Sequence, residues 1–196
     1  MADELKRRLV HASGSGLVAL YLLADALELG LTWPRFQVLM VVLALGAVVL
    51  EVLRLYVGLE WWLYEKLTRE YEQNQFAGYG YYMVSMTIVV LLFPEDIALP
   101  AMLMLAIGDP IAGYVSADTL TRFKDRKTLV TMFVVSTLLA LPFFLETPLV
   151  AVAAALGATI ADGITIRVRE FVVDDNLTIP LYAAVLGSVA LAIVPA

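Results

Sequence analysis

The sequence alternates between long apolar stretches and short polar segments, and the apolar stretches recur seven times. Each stretch has about the 17 to 25 residues with which an α-helix crosses the hydrocarbon core of a bilayer. The pattern therefore predicts an all-α membrane helix bundle with about seven transmembrane helices. Their predicted ranges are 12–30, 36–57, 77–93, 97–117, 129–145, 148–166 and 179–194.

The basic residues predict the orientation of these helices. When the seven spans are threaded through a bilayer, 12 of the 13 lysines and arginines fall on one side, and Arg35 alone falls on the other. Because cytoplasmic loops carry an excess of Lys and Arg, we expect a cytoplasmic N-terminus and an outer C-terminus. The residues on the predicted cytoplasmic side are Lys6, Arg7, Arg8, Arg54, Lys66, Arg69, Arg122, Lys124, Arg126, Lys127, Arg167 and Arg169.

The predicted cytoplasmic segments are longer and more polar than the outer connections. They are the basic tail 1–11 and the loops 58–76, 118–128 and 167–178. We expect recognition of water-soluble molecules there, because binding residues are concentrated on loops. Within 58–76, apolar residues recur at helical spacing, which predicts an amphipathic helix lying in the membrane interface.

Composition favours a single integral membrane domain that comprises residues 1–196, and it reduces the number of possible functions. Hydrophobic residues make up 61% of the chain and the mean hydropathy is +0.85, more than a soluble domain needs to fill its core. The net charge of −6 argues against a nucleic-acid partner. The chain has no cysteine for disulfide or thiolate chemistry, and it lacks the glycine motifs of P-loop and Rossmann nucleotide-binding domains.

Asp109 is the most conspicuous polar residue inside a predicted span. It lies about eight residues before the cytoplasmic end of the fourth span, on the order of 12 Å below that end. A carboxylate at such a depth is costly unless it faces protein or a water-filled cavity. Pro110 removes a helix hydrogen bond and predicts a kink that frees a carbonyl beside the acid. Asp109 is either a site residue or a polar contact that holds helices together.

A second acid, Asp162, ends a run of small residues in the sixth span. Small faces let transmembrane helices approach closely, so the fourth and sixth spans could bring Asp109 and Asp162 into one cavity. Paired acids near a cytoplasmic opening suit a magnesium-nucleotide site, because hard oxygen ligands hold Mg²⁺ and the metal neutralises phosphate charge. Ordinary tight packing would explain the small residues but not the acids. These small residues are Ala112, Gly113, Ser116 and Ala117 after Asp109, and Ala151, Ala154, Ala155 and Ala158 before Asp162.

Two further groups of charged residues lie at the cytoplasmic ends of the first two spans. Glu51 and Arg54 share one helical face, where they either belong to the site, pair with each other, or extend to the interface. Arg7, Arg8 and His11 share a face of the first helix, where basic residues also serve as the ordinary cytoplasmic anchor.

Helix N-termini at the same face favour phosphate binding, because their unpaired N–H groups and positive dipole ends point towards the cytoplasm. Thr128 is the predicted N-cap of the fifth span, and Thr178 is the predicted N-cap of the seventh. Arg126 and Lys127, beside Thr128, are expected to offset the charge of a bound phosphate.

Several short motifs, in order along most of the chain, resemble one family. The most specific is DDNLTIP over 174–180. The others are Gly108-Asp109 followed by Ala112, Glu51 with Arg54, and Arg7-Arg8 separated from His11 by two residues. Together they resemble the family of dolichol kinases, phytol kinases and CTP-dependent diacylglycerol kinases. Members of that family phosphorylate the hydroxyl of a membrane lipid alcohol, typically with CTP as the donor.

The resemblance implies a metal-dependent kinase that uses Mg²⁺ and CTP. In this alignment of motifs, Asp162 stands where relatives tend to have a glutamate. The residues expected to carry the site are Asp109, Asp162 and Asp174 for catalysis and metal binding, Arg126, Lys127, Asp175 and Asn176 for nucleotide binding, and Arg7, Arg8, His11, Glu51 and Arg54 in support.

We therefore predict a kinase for dolichol or a related polyprenol, multi-pass in the cell membrane with its active face cytoplasmic. A nucleotide would reach that face from water, and the lipid hydroxyl would lie at headgroup depth. Two other interpretations stay open. A CTP-dependent cytidylyltransferase that makes a CDP-activated lipid would release pyrophosphate instead of CDP. A membrane transporter or non-catalytic scaffold would bind no nucleotide, although transporters tend to place ion sites near the midplane between repeats.

Overall fold

The computed structural model describes residues 2–59, 75–116, 123–164, 167–168 and 171–194. The amphipathic helix predicted within 58–76 lies outside these residues, apart from its ends. Along the chain the described elements are α1 (Ala2–Ser13), α2 (Ser15–Ala26), α3 (Trp33–Val52), a π-helical turn (Leu53–Val57), α4 (Gly78–Leu92), α5 (Glu95–Leu103), a second π-helical turn (Met104–Gly108), α6 (Asp109–Val115), α7 (Arg126–Ala140), a 3-10 turn (Leu141–Phe143), α8 (Pro148–Gly163), β1 (Arg167–Val168), β2 (Phe171–Val172) and α9 (Asp175–Ile193).

Helices lie within all seven predicted apolar stretches, but they differ in length. Within the described ranges, five helices are able to cross a membrane by length and composition: Arg8–Ala26, Trp33–Val57, Glu95–Val115, Arg126–Phe143 and Asp175–Ile193. Helices α4 and α8 have 15 and 16 residues, or about 22 and 24 Å, against a hydrocarbon core of about 30 Å. Nine of the 16 residues of α8 are buried, since α7 and α9 pack against it.

Large apolar side chains cover the outside of the bundle as well as its centre. Leu23, Leu92 and Leu149 are 61%, 72% and 63% exposed, on three different helices. Exposed apolar surface of this extent marks contact with a membrane or another protein. With the long apolar helices, it indicates a membrane-embedded helical protein, as the sequence predicts.

The small residues of α8 bring its backbone against that of α9. A Cβ placed on Gly157 would lie 2.3 Å from the backbone oxygen of Tyr182, and one on Gly187 would lie 3.2 Å from the Ala154 Cβ. Helix α8 also touches the Met104–Gly108 turn of the fourth span. The small residues of α8 therefore pack chiefly against α9. The sequence pattern had been interpreted as packing against the fourth span.

Both predicted N-caps are wrong, because an aspartate one turn earlier takes the position. Asp125 caps α7, its Oδ1 accepting from the backbone N–H groups two and three residues later, at 2.8 and 3.0 Å. Asp174 caps α9 in the same way, at 2.9 Å. A carboxylate is also favoured there by the positive end of the helix dipole. Thr128 and Thr178 consequently lie inside the first turns of these helices.

A short antiparallel hairpin interrupts the helical fold at the predicted cytoplasmic side. Strands β1 and β2, of two residues each, pair within the predicted loop 167–178. Beside them Phe123 forms a β-bridge with Ile164, and the Lys124 backbone N–H donates to the Gly163 carbonyl at 3.1 Å. These contacts fix residues 123–124 against the end of α8.

Candidate functional site

Three aspartates from three different helices converge at the predicted cytoplasmic side. Asp109 begins α6, Asp162 lies in the last turn of α8, and Asp175 begins α9. One carboxylate oxygen from each lies within 4.8 Å of the others. Asp162 has a fully buried side chain, whereas those of Asp109 and Asp175 are 21% and 36% exposed. The aspartate cluster, as we call these three residues, is therefore buried at Asp162 and partly exposed at Asp109 and Asp175.

The backbone before Asp109 explains its position. In the π-helical register of Met104–Gly108, the Leu105 carbonyl would accept from residue 110, but Pro110 has no N–H. The His11 Nε2 donates to the freed Leu105 carbonyl instead, at 3.0 Å, since a carbonyl oxygen can only accept. The same Nε2 lies 3.6 Å from the Asp109 Oδ2. The carbonyl freed by Pro110 thus attaches α1 to the aspartate cluster.

Asp162 carries an unsatisfied oxygen. Its Oδ1 accepts from the Lys124 Nζ at 2.5 Å, but its Oδ2 is buried and has no hydrogen-bond partner among the described residues. A buried carboxylate oxygen without a donor or cation costs free energy. This oxygen is placed to receive a cation or a hydrogen-bond donor from beyond the described residues.

Lys124 is the residue that sequence reasoning missed. Its Nζ bridges the cluster, 2.5 Å from Asp162 Oδ1 and 3.2 Å from Asp175 Oδ2. Burial acts to lower the pKa of this ammonium, but the negative charges of the three aspartates outweigh that effect, and the pKa is raised above its ordinary value. With all groups ionised, three carboxylates and one ammonium leave the cluster a net charge of −2.

Arg126 and Lys127, the predicted phosphate-binding residues, lie elsewhere. Both are exposed in the first turn of α7. Neither forms an ion pair with an acid within the part of the chain that the structure describes. They follow Lys124 by two and three residues in the sequence, but their side chains are not part of the aspartate cluster.

The structure places Asp174 and Asp175 in different surroundings. Asp174, the predicted metal ligand, is the N-cap of α9, and its Oδ1 accepts a hydrogen bond from the Asn176 N–H. Asp175, predicted to bind nucleotide, is the one that joins Asp109 and Asp162. The difference depends on where α9 begins, because consecutive residues at a helix start point in different directions.

Asn176 is buried beside the cluster, and its backbone is fully engaged. Its N–H donates to Asp174, and its carbonyl accepts from the Ser85 Oγ at 2.6 Å. Its side-chain Oδ1 is buried and lacks a hydrogen-bond partner in the described part of the chain. It is therefore a second acceptor without a donor, as the Asp162 Oδ2 is.

Glu51 and Arg54 form a structural network of their own. The buried Glu51 accepts from the Arg54 Nε at 3.0 Å, from the Ala77 N–H at 2.7 Å and from the Tyr79 hydroxyl. Arg54 also donates to the Gln75 carbonyl at 2.7 Å. These contacts tie α3 to the start of α4, which favours the pairing interpretation over membership of the site.

Of the basic residues on α1, Arg8 approaches the face of α6 that carries Asp109. A Cβ placed on Gly113, one turn after Asp109, would lie 3.8 Å from the Arg8 Cζ. The side chain of Arg7 lies outside the described part of the structure. His11 also reaches the site, where it contacts Leu105 and Asp109.

In comparisons with known proteins, no family model matches the chain, and no curated protein or solved structure matches it.

Proposed function

We propose that this protein is a membrane-embedded lipid-alcohol kinase. It would transfer the terminal phosphate of a nucleoside triphosphate, with CTP as the expected donor, to the hydroxyl of dolichol or a related polyprenol. The observation that carries the proposal is the aspartate cluster, in which the buried Asp162 Oδ2 has no partner among the described residues. The motif resemblance supports the choice of reaction and donor.

The proposal includes a topology of seven spans with a cytoplasmic N-terminus and an outer C-terminus. The asymmetry of the basic residues supports this orientation. The short α4 and α8 would complete their crossings within the bundle, where neighbouring helices cover them. The aspartate cluster would then open to the cytoplasm, where nucleoside triphosphates are found.

The cluster suits a divalent cation by both charge and ligand type. Its net charge of −2 would be neutralised by one such ion, and carboxylate oxygens are the ligands that Mg²⁺ prefers. Asp109, Asp162 and Asp175 would hold the ion. When bound, Mg²⁺ supplies neutralisation and alignment of phosphate oxygens.

The surrounding residues would bind and orient the reactants. Lys124, kept protonated by the three aspartates, would offset phosphate charge. Arg126 and Lys127, exposed on the first turn of α7, would attract the nucleotide from water, and the N-termini of α7 and α9 favour an anion. One carboxylate of the cluster would accept the proton of the lipid hydroxyl.

An assay of the purified protein in lipid nanodiscs tests this function. Each nucleoside triphosphate is combined with Mg²⁺ and with isoprenoid alcohols or diacylglycerol, and both the nucleotide and lipid products are identified. We expect CDP and a phosphorylated isoprenoid alcohol. Pyrophosphate release would assign cytidylyl transfer instead. A folded protein that binds no nucleotide at all would contradict both reactions and favour a transporter or scaffold.

A further inference from the structure

A cavity of about 220 Å³ lies between the first span and α4. Val10, Leu17 and Met83 contribute apolar walls, and His11 and Asn176 contribute polar groups. From Val10 to Leu17 the wall follows the first span for about 10 Å, at 1.5 Å per residue. The cavity therefore extends from the N-terminal ends of the first span and α4 towards the proposed membrane interior.

The polar groups of this cavity adjoin the aspartate cluster. His11 lies 3.6 Å from the Asp109 Oδ2, and Asn176 directly follows Asp175 in α9. A ligand with a polar head and an apolar body would thus present its head next to the carboxylates. Its body would lie against Leu17 and Met83.

The hydrogen-bonding groups of the lining indicate which polar head fits. The Tyr79 hydroxyl donates to Glu51, the Tyr82 hydroxyl to the His11 carbonyl and the Ser13 hydroxyl to a carbonyl of its own helix. These hydroxyl protons are committed within the protein. The Asn176 Oδ1, by contrast, is a buried acceptor with no partner among the described residues, and leaving it so costs free energy.

We propose that this cavity binds the hydroxyl end of a single-chain lipid alcohol, whose O–H donates to the Asn176 Oδ1 before nucleotide binds and turns to a cluster carboxylate for the transfer. An alcohol supplies the donor that this oxygen lacks. The esters of a diacylglycerol would add two carbonyl acceptors, for which the lining hydroxyls have no free proton and the Asn176 side-chain NH₂ is the remaining donor among the groups considered. The inference rests on the proposed function and specifies its acceptor substrate. It also reassigns Asn176 from the nucleotide to the lipid.

Photo-crosslinking tests the cavity without requiring turnover. The probe is a short isoprenoid alcohol with a diazirine near its hydroxyl, added to the protein in nanodiscs without nucleotide or Mg²⁺. We expect adducts within 10–17 and 78–83, suppressed by unlabelled isoprenoid alcohol and not by equimolar diacylglycerol. Adducts confined to other segments, or equal competition by diacylglycerol, would overturn the inference.

Matched variants sharpen this test. Leu17→Trp fills the cavity and should abolish these adducts, whereas Leu20→Trp, on the same helix but 48% exposed on the outside, should leave them unchanged. Asn176→Ala should weaken probe affinity about fivefold, the effect of one ordinary hydrogen bond. The two backbone hydrogen bonds of Asn176 do not involve its side-chain amide, so Asn176→Ala should keep them. This variant therefore still tests the proposal if Leu17→Trp does not fold. Wild-type labelling in both Leu17→Trp and Asn176→Ala would refute the proposed site.

The kinase proposal and the cavity proposal fail in different measurements. Calorimetric titration of CTP with Mg²⁺ depends on the aspartate cluster and needs no lipid. Mapped crosslinks without CTP binding would remove the kinase and retain an alcohol-binding cavity. CTP turnover with an unchanged KM for the alcohol in Leu17→Trp would retain the kinase and remove the cavity.

Discussion

Asp109 is the residue whose charge the proposed reaction needs most directly. Asp109→Asn keeps the size of the side chain and replaces a metal-binding charge with a neutral amide. We expect phosphoryl transfer to fall below detection while the protein remains inserted and folded, as measured by turnover and by thermal unfolding. Asp25→Asn, an exposed aspartate at the other end of the first span, is the matched control. Near-normal turnover in Asp109→Asn would make Asp109 a packing residue.

Lys124 neutralises part of the cluster, and its loss should be visible in metal affinity. Lys124→Met changes the net charge of the ionised cluster from −2 to −3. We expect tighter binding of Mg²⁺ in the absence of nucleotide, together with slower turnover because a phosphate-directed cation is lost. Calorimetric titration with Mg²⁺ measures the first effect. The exposed Lys127→Met should leave it unchanged, and an unchanged affinity in both variants would exclude Lys124 as the neutralising charge.

The raised pKa of Lys124 has a defined consequence for pH dependence. A Lys whose folded pKa is raised stabilises the fold fully below its unfolded pKa, about 10.4, and loses that contribution as pH rises through the folded value. The free energy of unfolding should therefore be higher for the wild type than for Lys124→Met at neutral pH. This difference should disappear only in strongly alkaline solution. Denaturant titration of both proteins at pH 8 and above pH 11 measures this. Loss of the advantage already near neutral pH would contradict a raised pKa.

At the scale of single elements, the two aspartates at the start of α9 should affect different properties, one the stability of the fold and the other the binding of ligands. Asp174 caps the helix and Asp175 enters the cluster. Asp174→Ala should lower the free energy of unfolding by about 1 kcal/mol, the usual cost of a lost N-cap, and leave Mg²⁺-dependent nucleotide binding intact. Asp175→Ala should weaken that binding and be partly rescued by higher Mg²⁺. Thermal unfolding and calorimetry at two Mg²⁺ concentrations compare the neighbours, and identical behaviour in both assays would contradict their different roles.

The limits of sequence reasoning also lie at the scale of elements. Asp109 and Asp162 could be found because a charge within an apolar stretch is conspicuous and expensive. Lys124 could not be found, because its place depends on the bridge between Phe123 and Ile164, a tertiary contact that no local pattern encodes. The different surroundings of Asp174 and Asp175 have a local cause, since a one-residue shift in the start of a helix redirects every side chain in its first turn.

For the whole molecule, the proposed orientation can be tested because the chain has no cysteine of its own. Arg126 and Glu146 are exposed residues at the two ends of the fifth span. In intact cells, a membrane-impermeant thiol reagent should label Glu146→Cys and not Arg126→Cys. After the cells are permeabilised, both should be labelled. Labelling of Arg126→Cys alone in intact cells would invert the protein and place the aspartate cluster outside, away from nucleotides.

The convergence of Asp109, Asp162 and Asp175 has a consequence for biosynthesis. A ribosome delivers the fourth span first, the sixth later and α9 last of the three, so the cluster cannot assemble until α9 has entered the membrane. During that interval Asp162 can reach Lys124, but the third carboxylate is still missing. The nascent chain therefore stays without the complete aspartate cluster throughout the insertion of its earlier spans. Activity would begin only with the insertion of α9.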